Sequence, residues 1–195
     1  MSEQLSFAAL FEEAAFEQKT SHLPAAMAEA LPFFRRLIER HHAAMIGADF
    51  VLAQAINDEA HDLAVKLNHG DPAILADDDS PGSVLENETR APSGEIPLWG
   101  QVGDFIVEGK GMKARIEMEG IFGLAASPIP GFCAQAIEFD KPFLSETGFR
   151  SFLGERARPA KGMLPNEFAA AVIGAYLERR KARLFNIEDR YRSPG

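Results

Sequence analysis

The feature that most constrains the fold is a change in hydrophobic spacing between the two halves of the chain. The first half carries a seam spaced by four, three, four, three and four residues, which runs through Met27, Leu31, Phe34, Ile38, His41 and Met45. Beyond residue 111 the spacing becomes two, and charged residues alternate with Met112, Ala114, Ile116 and Met118. A spacing of three to four is typical of helices, and a spacing of two is typical of half-buried strands. The pattern therefore predicts an α+β fold.

Further helical signals surround the seam. An alanine-rich stretch predicts a first helix that ends near Thr20, and Pro32 predicts the start of the seam helix or a kink in it. Gly47 suits the C′ position of that helix, and Asp49 suits the N-cap of a third helix. The apolar face of the third helix comprises Leu52, Ile56, Ala60, Leu63 and Leu67. Residues 23–69 are thus predicted to form a helical hairpin inside a helical subdomain, residues 1–70.

Residues 71–98 differ in composition from what precedes them. They contain seven acidic residues, four prolines and a single base, Arg90. This composition is typical of a linker or a long surface loop. The run from Asp77 to Asp79 lacks the alternating ligands of a calcium loop, so we predict a solvated acidic loop rather than a cation site.

The remaining residues, 99–195, are predicted to form a small antiparallel sheet and a C-terminal helix. Strands around Phe105 and over residues 112–118 form a hairpin across the glycines at 109 and 111, and residues 132–139 supply a further strand. A helix is predicted from Pro165 to about Asp189. We expect residues 1–195 to make up one α+β domain.

Composition narrows the class of function. The formal net charge of −9 disfavours nucleic acid as a partner, and the lone cysteine, Cys133, excludes an intramolecular disulfide. The chain shows neither a basic leader followed by an apolar run nor an apolar stretch of membrane-spanning length. We expect a cytoplasmic protein that does not enter a membrane.

The helical hairpin carries histidines and carboxylates, which are the side chains of metal sites. Di-metal bundles need a Glu-x-x-His pair on each of two helices, and only Glu39 and His42 fit that spacing. We therefore predict neither a metal nor a cofactor. His41 is the candidate to test, because it lies on the apolar seam, where it is either a hydrogen-bonded core residue or a contact to a partner chain.

The densest group of polar residues beside aromatic ones lies in the segment from Pro142 to Gly154. In a structural interpretation, Ser145 caps a short helix that begins at Glu146, and Glu146 pairs with Arg150. In a functional interpretation, Ser145, Thr147, the Gly148 amide and Arg150 converge on an anion. The single tryptophan, Trp99, either lines a ligand pocket or anchors a loop to the core.

Four motifs resemble those of a bacterial protein family that is associated with plasmids and other mobile elements and has no assigned activity. They are Pro97-Leu98-Trp99-Gly100, Gly120-Ile121-Phe122-Gly123, Pro130-Gly131-Phe132 and the segment from Pro142 to Gly154. The resemblance implies a genomic context but transfers no catalytic residue.

Two functions remain open from the sequence. The first is a noncatalytic binding or accessory protein that engages a protein or an anionic ligand through the helical seam or through residues 145–150. The second is a hydrolase or transferase for a phosphorylated or carboxylated small molecule, with Ser145 and Arg150 on the anion and a histidine of residues 41–61 as general base. A homodimer through the seam is a further possibility, and an intramolecular partner helix explains the seam equally well.

Overall fold

The computed structural model describes residues 11, 14–109, 111–123, 129–153, 157–179 and 184–191. Its helices are α1 (Met27–Gly47), α2 (Phe50–Leu67), α3 (Pro81–Glu88) and α4 (Pro165–Arg179), with a 3-10 turn at Asp189–Tyr191. Its strands are β1 (Gly103–Gly109), β2 (Met112–Met118), β3 (Phe132–Ala136) and β4 (Phe149–Ser151). The predicted α+β class is confirmed. Residues 14–20 are also helical and end at Thr20 as predicted, whereas the rest of that first helix lies outside the described residues.

The helical hairpin forms as its apolar spacing predicts. Phe34, Ile38, His41 and Met45 of the seam are buried, and Asp49 caps α2 by accepting a hydrogen bond from the Leu52 amide at 3.0 Å. The predicted C′ glycine is wrong by one position, because Gly47 is the last residue of α1 and Ala48 takes the left-handed conformation, with φ of 59°. Pro32 lies inside α1, one turn after its start at Met27.

Part of the acidic segment is a helix rather than a loop. Residues 81–88 form α3, and Pro81 occupies its first turn, where the missing amide hydrogen costs nothing. Leu85 is fully buried, and Ile74 in the preceding segment is 5% exposed. A helix of two turns buries only one or two side chains, so its apolar pattern is weak. The acidic residues and prolines around it therefore lead the sequence to be interpreted as a loop.

The four strands form one antiparallel sheet in the order β1-β2-β3-β4. The predicted hairpin is confirmed, with Phe105 opposite Ile116 and Val107 opposite Ala114. Strand β3 ends at Ala136, three residues before the predicted end, and β4 pairs with it where a short helix was predicted. One face of the sheet is buried in the core, and the other is largely exposed.

The C-terminal helix packs on the buried face of the sheet. Phe168 contacts both Trp99 and Phe132 edge to face, and Tyr176 contacts Phe152 in the same way. Helix α4 is shorter than predicted, because residues 184–188 are not helical. Instead they run back along residues 143–146, with Phe185 bridged to Phe143. The basic stretch from Arg180 to Arg183 lies outside the described residues.

Candidate functional site

The two adjacent histidines of α1 bind the backbone of Trp99, one at its carbonyl and the other at its amide. The carbonyl oxygen of Trp99 lies 3.0 Å from His41 Nδ1, and the Trp99 amide donates to His42 Nδ1 at 3.1 Å. A carbonyl only accepts and an amide only donates, so His41 carries its proton on Nδ1 and His42 Nδ1 is a bare acceptor. Its acceptor role requires His42 to be neutral, whereas the Nδ1–H of His41 is present in both the neutral and the charged imidazole. Together the two side chains clamp the loop that carries Trp99.

Burial supports the neutral state of both histidines. It lowers the pKa of His41, against the hydrogen bond to Trp99, which raises it, and nearby His42 lowers it further. Burial also lowers the pKa of His42. The predicted alternative of a buried, hydrogen-bonded core histidine is what the structure shows for His41.

Trp99 anchors its loop from both ends. The indole is 1% exposed, and its Nε1 donates to the Met163 carbonyl at 2.9 Å. The next residue, Gly100, has φ of 84°, and a Cβ atom there would lie 2.7 Å from His41 Nδ1. The Gly100 carbonyl accepts a hydrogen bond from the Ile121 amide, so this loop is tied to the Gly120–Gly123 motif.

The Gly120–Gly123 motif is held by a half-buried carboxylate of α3. Glu86 Oε1 accepts a hydrogen bond from the Phe122 amide at 3.0 Å, and Gly120 leaves room for this carboxylate. Burial raises the pKa of Glu86 to about 7, against the Phe122 hydrogen bond, and the nearby charge of Glu119 adds to the rise. Phe122 stacks on Phe34 of the seam, with ring centroids 5.3 Å apart.

These loops and α2 enclose two adjoining cavities that share Asn57, Ile121 and Gly123. The inner cavity, of about 40 Å³, is lined by His41, Trp99, Gly100 and Glu119 among others. The outer one, of about 480 Å³, is an open cleft between α2, residues 72–76 and the Gly120–Gly123 motif. We call the two together the α2 cleft. Its α2 wall is polar and consists of Gln54, Asn57, Asp58 and His61.

The segment at residues 145–150 is arranged differently from either prediction. Residues 145–148 form a turn that leads into β4, so Ser145 caps no helix. Ser145 Oγ donates to the Phe149 carbonyl at 2.7 Å and accepts from the Phe149 amide at 3.1 Å, and Thr147 Oγ1 contacts the same two groups. The Gly148 amide donates to the Ser145 carbonyl. A strand replaces the helix because these hydroxyls and the positive φ of Gly148, 73°, close a tight turn.

Arg150 does not join the hydroxyls. Its guanidinium lies over the rings of Tyr176 and Phe152, at 4.8 and 5.9 Å from their centroids, and Glu146 is an exposed residue that forms no ion pair with it. His41 lines the α2 cleft and Arg150 does not. The hydroxyls of Ser145 and Thr147 thus lie together at the Phe149 backbone, whereas the Arg150 guanidinium is directed to the aromatic rings and His41 lies at the α2 cleft.

Sequence reasoning missed the α2 cleft, although its signals are present. Gln54, Asp58 and His61 recur at the helical spacing of four and three, and the Gly120–Gly123 motif stands out as one of the four family motifs. Within the described ranges, no group of three or more histidine, cysteine or acidic residues is placed to hold a metal ion. No helix in the same ranges has the length and apolarity needed to span a bilayer.

Fold and site together define a small α+β domain with a mixed polar and apolar cleft beside its helical hairpin. The chain is similar to two Escherichia coli proteins, each named Protein KlcB. One is 34% identical over 152 residues, which are 77% of this chain and 36% of the relative, and the other is 36% identical over 146 residues, which are 74% of this chain and 30% of the relative. The chain thus spans about a third of the length of these relatives.

These relatives support the predicted bacterial family at the level of homology. No family model matches the chain, and no solved structure matches it.

Proposed function

We propose that this protein is a noncatalytic binding protein whose ligand occupies the α2 cleft. The observation that carries the proposal is the cleft of about 480 Å³, with a polar wall on α2 facing an apolar wall that includes Leu75 and Phe122. Ligand sites are typically concave and largely apolar, with a few polar groups that fix the orientation of the ligand. The cleft has this character.

The positions of the histidines favour binding over catalysis. The enzymatic alternative requires a histidine of residues 41–61 beside Ser145 and Arg150, and those groups lie in different parts of the structure. His41 and His42 use their Nδ1 atoms to hold the backbone carbonyl and amide of Trp99. A ligand site supported by such a rigid clamp is preorganised, which reduces the entropy lost on binding.

The proposed ligand site differs from the predicted anion site at residues 145–150. There the hydroxyls of Ser145 and Thr147 are committed to the Phe149 backbone, and Arg150 packs on aromatic rings. We propose that this protein is an accessory protein and that the ligand is part of its partner. This role fits the plasmid and mobile-element context that the resemblance implies.

A thermal-shift screen of three proteins tests the proposal: the wild type, Ala76→Trp and Arg150→Ala. Ala76 is exposed and lines the cleft, so the tryptophan fills it without removing a polar group. The screen covers divalent metals, nucleotides, sugar phosphates, carboxylic acids and organic amines. At a hundred times its Kd, a ligand adds about 2.7 kcal/mol to the free energy of unfolding, which raises Tm by roughly 5–10 °C in a protein of this size.

We expect at least one compound to stabilise the wild type and Arg150→Ala but not Ala76→Trp. If no compound stabilises the wild type, the proposed function is wrong. If a compound stabilises the wild type and Ala76→Trp but not Arg150→Ala, the site returns to residues 145–150.

A further inference from the structure

We infer that the group held in the α2 cleft is an organic cation, an ammonium or guanidinium on an aliphatic stem. This inference rests on the proposed function and adds the chemical class of the ligand. Three features carry it: the charges that line the cleft, one carboxylate without a cationic partner, and an aromatic ring on the opposite wall.

The charges of the cleft have one sign. Among the described residues that line the two cavities are two carboxylates, Asp58 and Glu119, and neither a lysine nor an arginine. Glu86 lies directly behind the Gly120–Gly123 motif and adds a third carboxyl group. A cleft lined by one sign of charge concentrates ligands of the opposite sign, so anions are disfavoured here and cations are favoured.

Asp58 is the acidic residue of α2 that is left for a ligand. Its neighbours Glu59 and Asp62 are paired with cations, Glu59 with Arg40 at 3.1 Å and Asp62 with Lys19 at 2.6 Å. Asp58 Oδ1 accepts a hydrogen bond from Gln54 Nε2 at 2.9 Å. That bond orients the carboxylate and leaves Oδ2 without a partner among the described residues.

The opposite wall suits the remainder of such a ligand. Phe122 is half-buried and fixed by its stack on Phe34, so its ring is a rigid surface for a cation or an alkyl stem. Leu75, 43% exposed, extends this apolar wall. A carboxylate that faces an aromatic and aliphatic wall matches a charged head on an apolar stem.

A matched series of five-carbon probes tests the inference by thermal shift and calorimetry. Cadaverine, 1,5-pentanediol and glutarate share one chain and differ in the charge of their ends. We expect cadaverine to raise Tm and glutarate to leave it unchanged, with 1,5-pentanediol at least tenfold weaker than cadaverine. The peptide acetyl-Gly-Lys-Gly-amide is the fourth probe, because it presents the same head and stem as part of a protein.

Two isosteric variants of α2 locate the effect. Asp58→Asn is expected to weaken cadaverine or the lysine peptide at least tenfold, whereas Asp62→Asn, on the same helix but outside the cleft, is expected to leave their affinity unchanged. Tighter binding of cadaverine identifies a free amine as the ligand. Tighter binding of the peptide identifies a lysine of a partner protein.

Failure of this inference is distinguishable from failure of the proposed function. If glutarate binds and Ala76→Trp abolishes its binding, the cleft is a ligand site and the cationic class is wrong. If neither cation binds while another compound of the wider screen stabilises the protein through the cleft, the cationic class is also wrong. If no compound of either set binds, both proposals fall.

Discussion

At the scale of single residues, the loop before β1 is held by hydrogen bonds to both backbone polar groups of Trp99. His41 and His42 are consecutive on α1, yet they contact opposite ends of that residue, one at its carbonyl and the other at its amide. The arrangement requires the imidazole of His42 to be neutral and requires the chain after Trp99 to pass close to His41. Gly100 meets the second requirement.

We expect Gly100→Ala to lower the free energy of unfolding by about 2–4 kcal/mol, as the sum of a left-handed conformation and a steric clash. The clash is with His41, whose Nδ1 would lie 2.7 Å from the new Cβ atom. Urea denaturation measures the change. Gly70→Ala is the control, because Gly70 has φ of 89° and nothing within 4 Å of its Cβ position. It should cost only about 1–2 kcal/mol, and an equal loss in both variants would show that the clash with His41 is absent.

Glu86 is expected to make stability depend on pH. Its pKa is about 7 in the folded protein and 4.5 as the ordinary value, so the unfolded chain loses this proton first as pH rises from 4.5. The stability that Glu86 contributes to the folded state is fully present below pH 4.5 and is lost as pH rises through about 7. Glu86→Gln keeps an acceptor for the Phe122 amide and never ionises, and it should be more stable than the wild type at pH 8 by about 1–3 kcal/mol.

Denaturation of wild type and Glu86→Gln at pH 5 and pH 8 measures this effect. The histidine clamp acts in the opposite direction. The lowered pKa values of His41 and His42 give stability that is present above pH 6.5 and is lost as pH falls through the folded values. Because both proteins contain the clamp, the difference between them isolates Glu86. Glu88→Gln, on the same helix but exposed, is the control, and a pH-independent difference for Glu86→Gln would contradict the assignment.

At the scale of elements, the hydroxyls of Ser145 and Thr147 protect an open edge of the sheet. Backbone groups of Gly148 and Phe152 pair with β3, so those of Phe149 between them point away from the sheet. An unpaired edge strand is a template for association with another chain. Here the outward amide and carbonyl of Phe149 are satisfied by the two side chains.

The double variant Ser145→Ala/Thr147→Val exposes that edge. We expect Tm to fall by a few degrees, since each lost hydrogen bond costs about 0.5–1.5 kcal/mol, and we expect concentration-dependent self-association in light scattering. The single variant Thr147→Ser retains both hydroxyls and should remain like the wild type. A double variant that keeps the wild-type Tm and mass at every concentration would show that the hydroxyls do not protect the edge.

Elements with strong periodicity were predictable from sequence, and those defined by tertiary contacts were not. The seam of α1 and the alternation of β2 bury their apolar residues against a large surface, so their spacing is visible in the sequence. Helix α3 and strand β4 are short, and each is stabilised mainly by what it packs on. The α2 cleft was not predictable for a related reason. It is formed by residues 54–61, 72–76 and 120–123, which are distant in sequence, and no local spacing of residues shows that they are in contact.

At the scale of the whole molecule, the apolar core is continuous from the helical hairpin to the sheet. One buried cluster includes Phe34 of α1, Leu63 of α2, Ile116 of β2 and Phe168 of α4. Trp99 lies where these elements meet, since it is bound by both histidines of α1 and by the Met163 carbonyl before α4. Four of the six seam residues, Phe34, Ile38, His41 and Met45, are therefore covered within the chain, as the alternative of an intramolecular partner predicts.

This continuity predicts that residues 1–195 unfold as one unit. Far-UV circular dichroism reports mainly on the helices and fluorescence reports on Trp99, the single tryptophan, so the two urea transitions should coincide. Leu63→Ala and Ile116→Ala each remove a fully buried side chain, one in the hairpin and one in the sheet. Each should cost about 2–5 kcal/mol and move both transitions together. If Leu63→Ala moves the circular dichroism transition and leaves the fluorescence transition in place, the helical part unfolds separately and the prediction of a single domain is wrong.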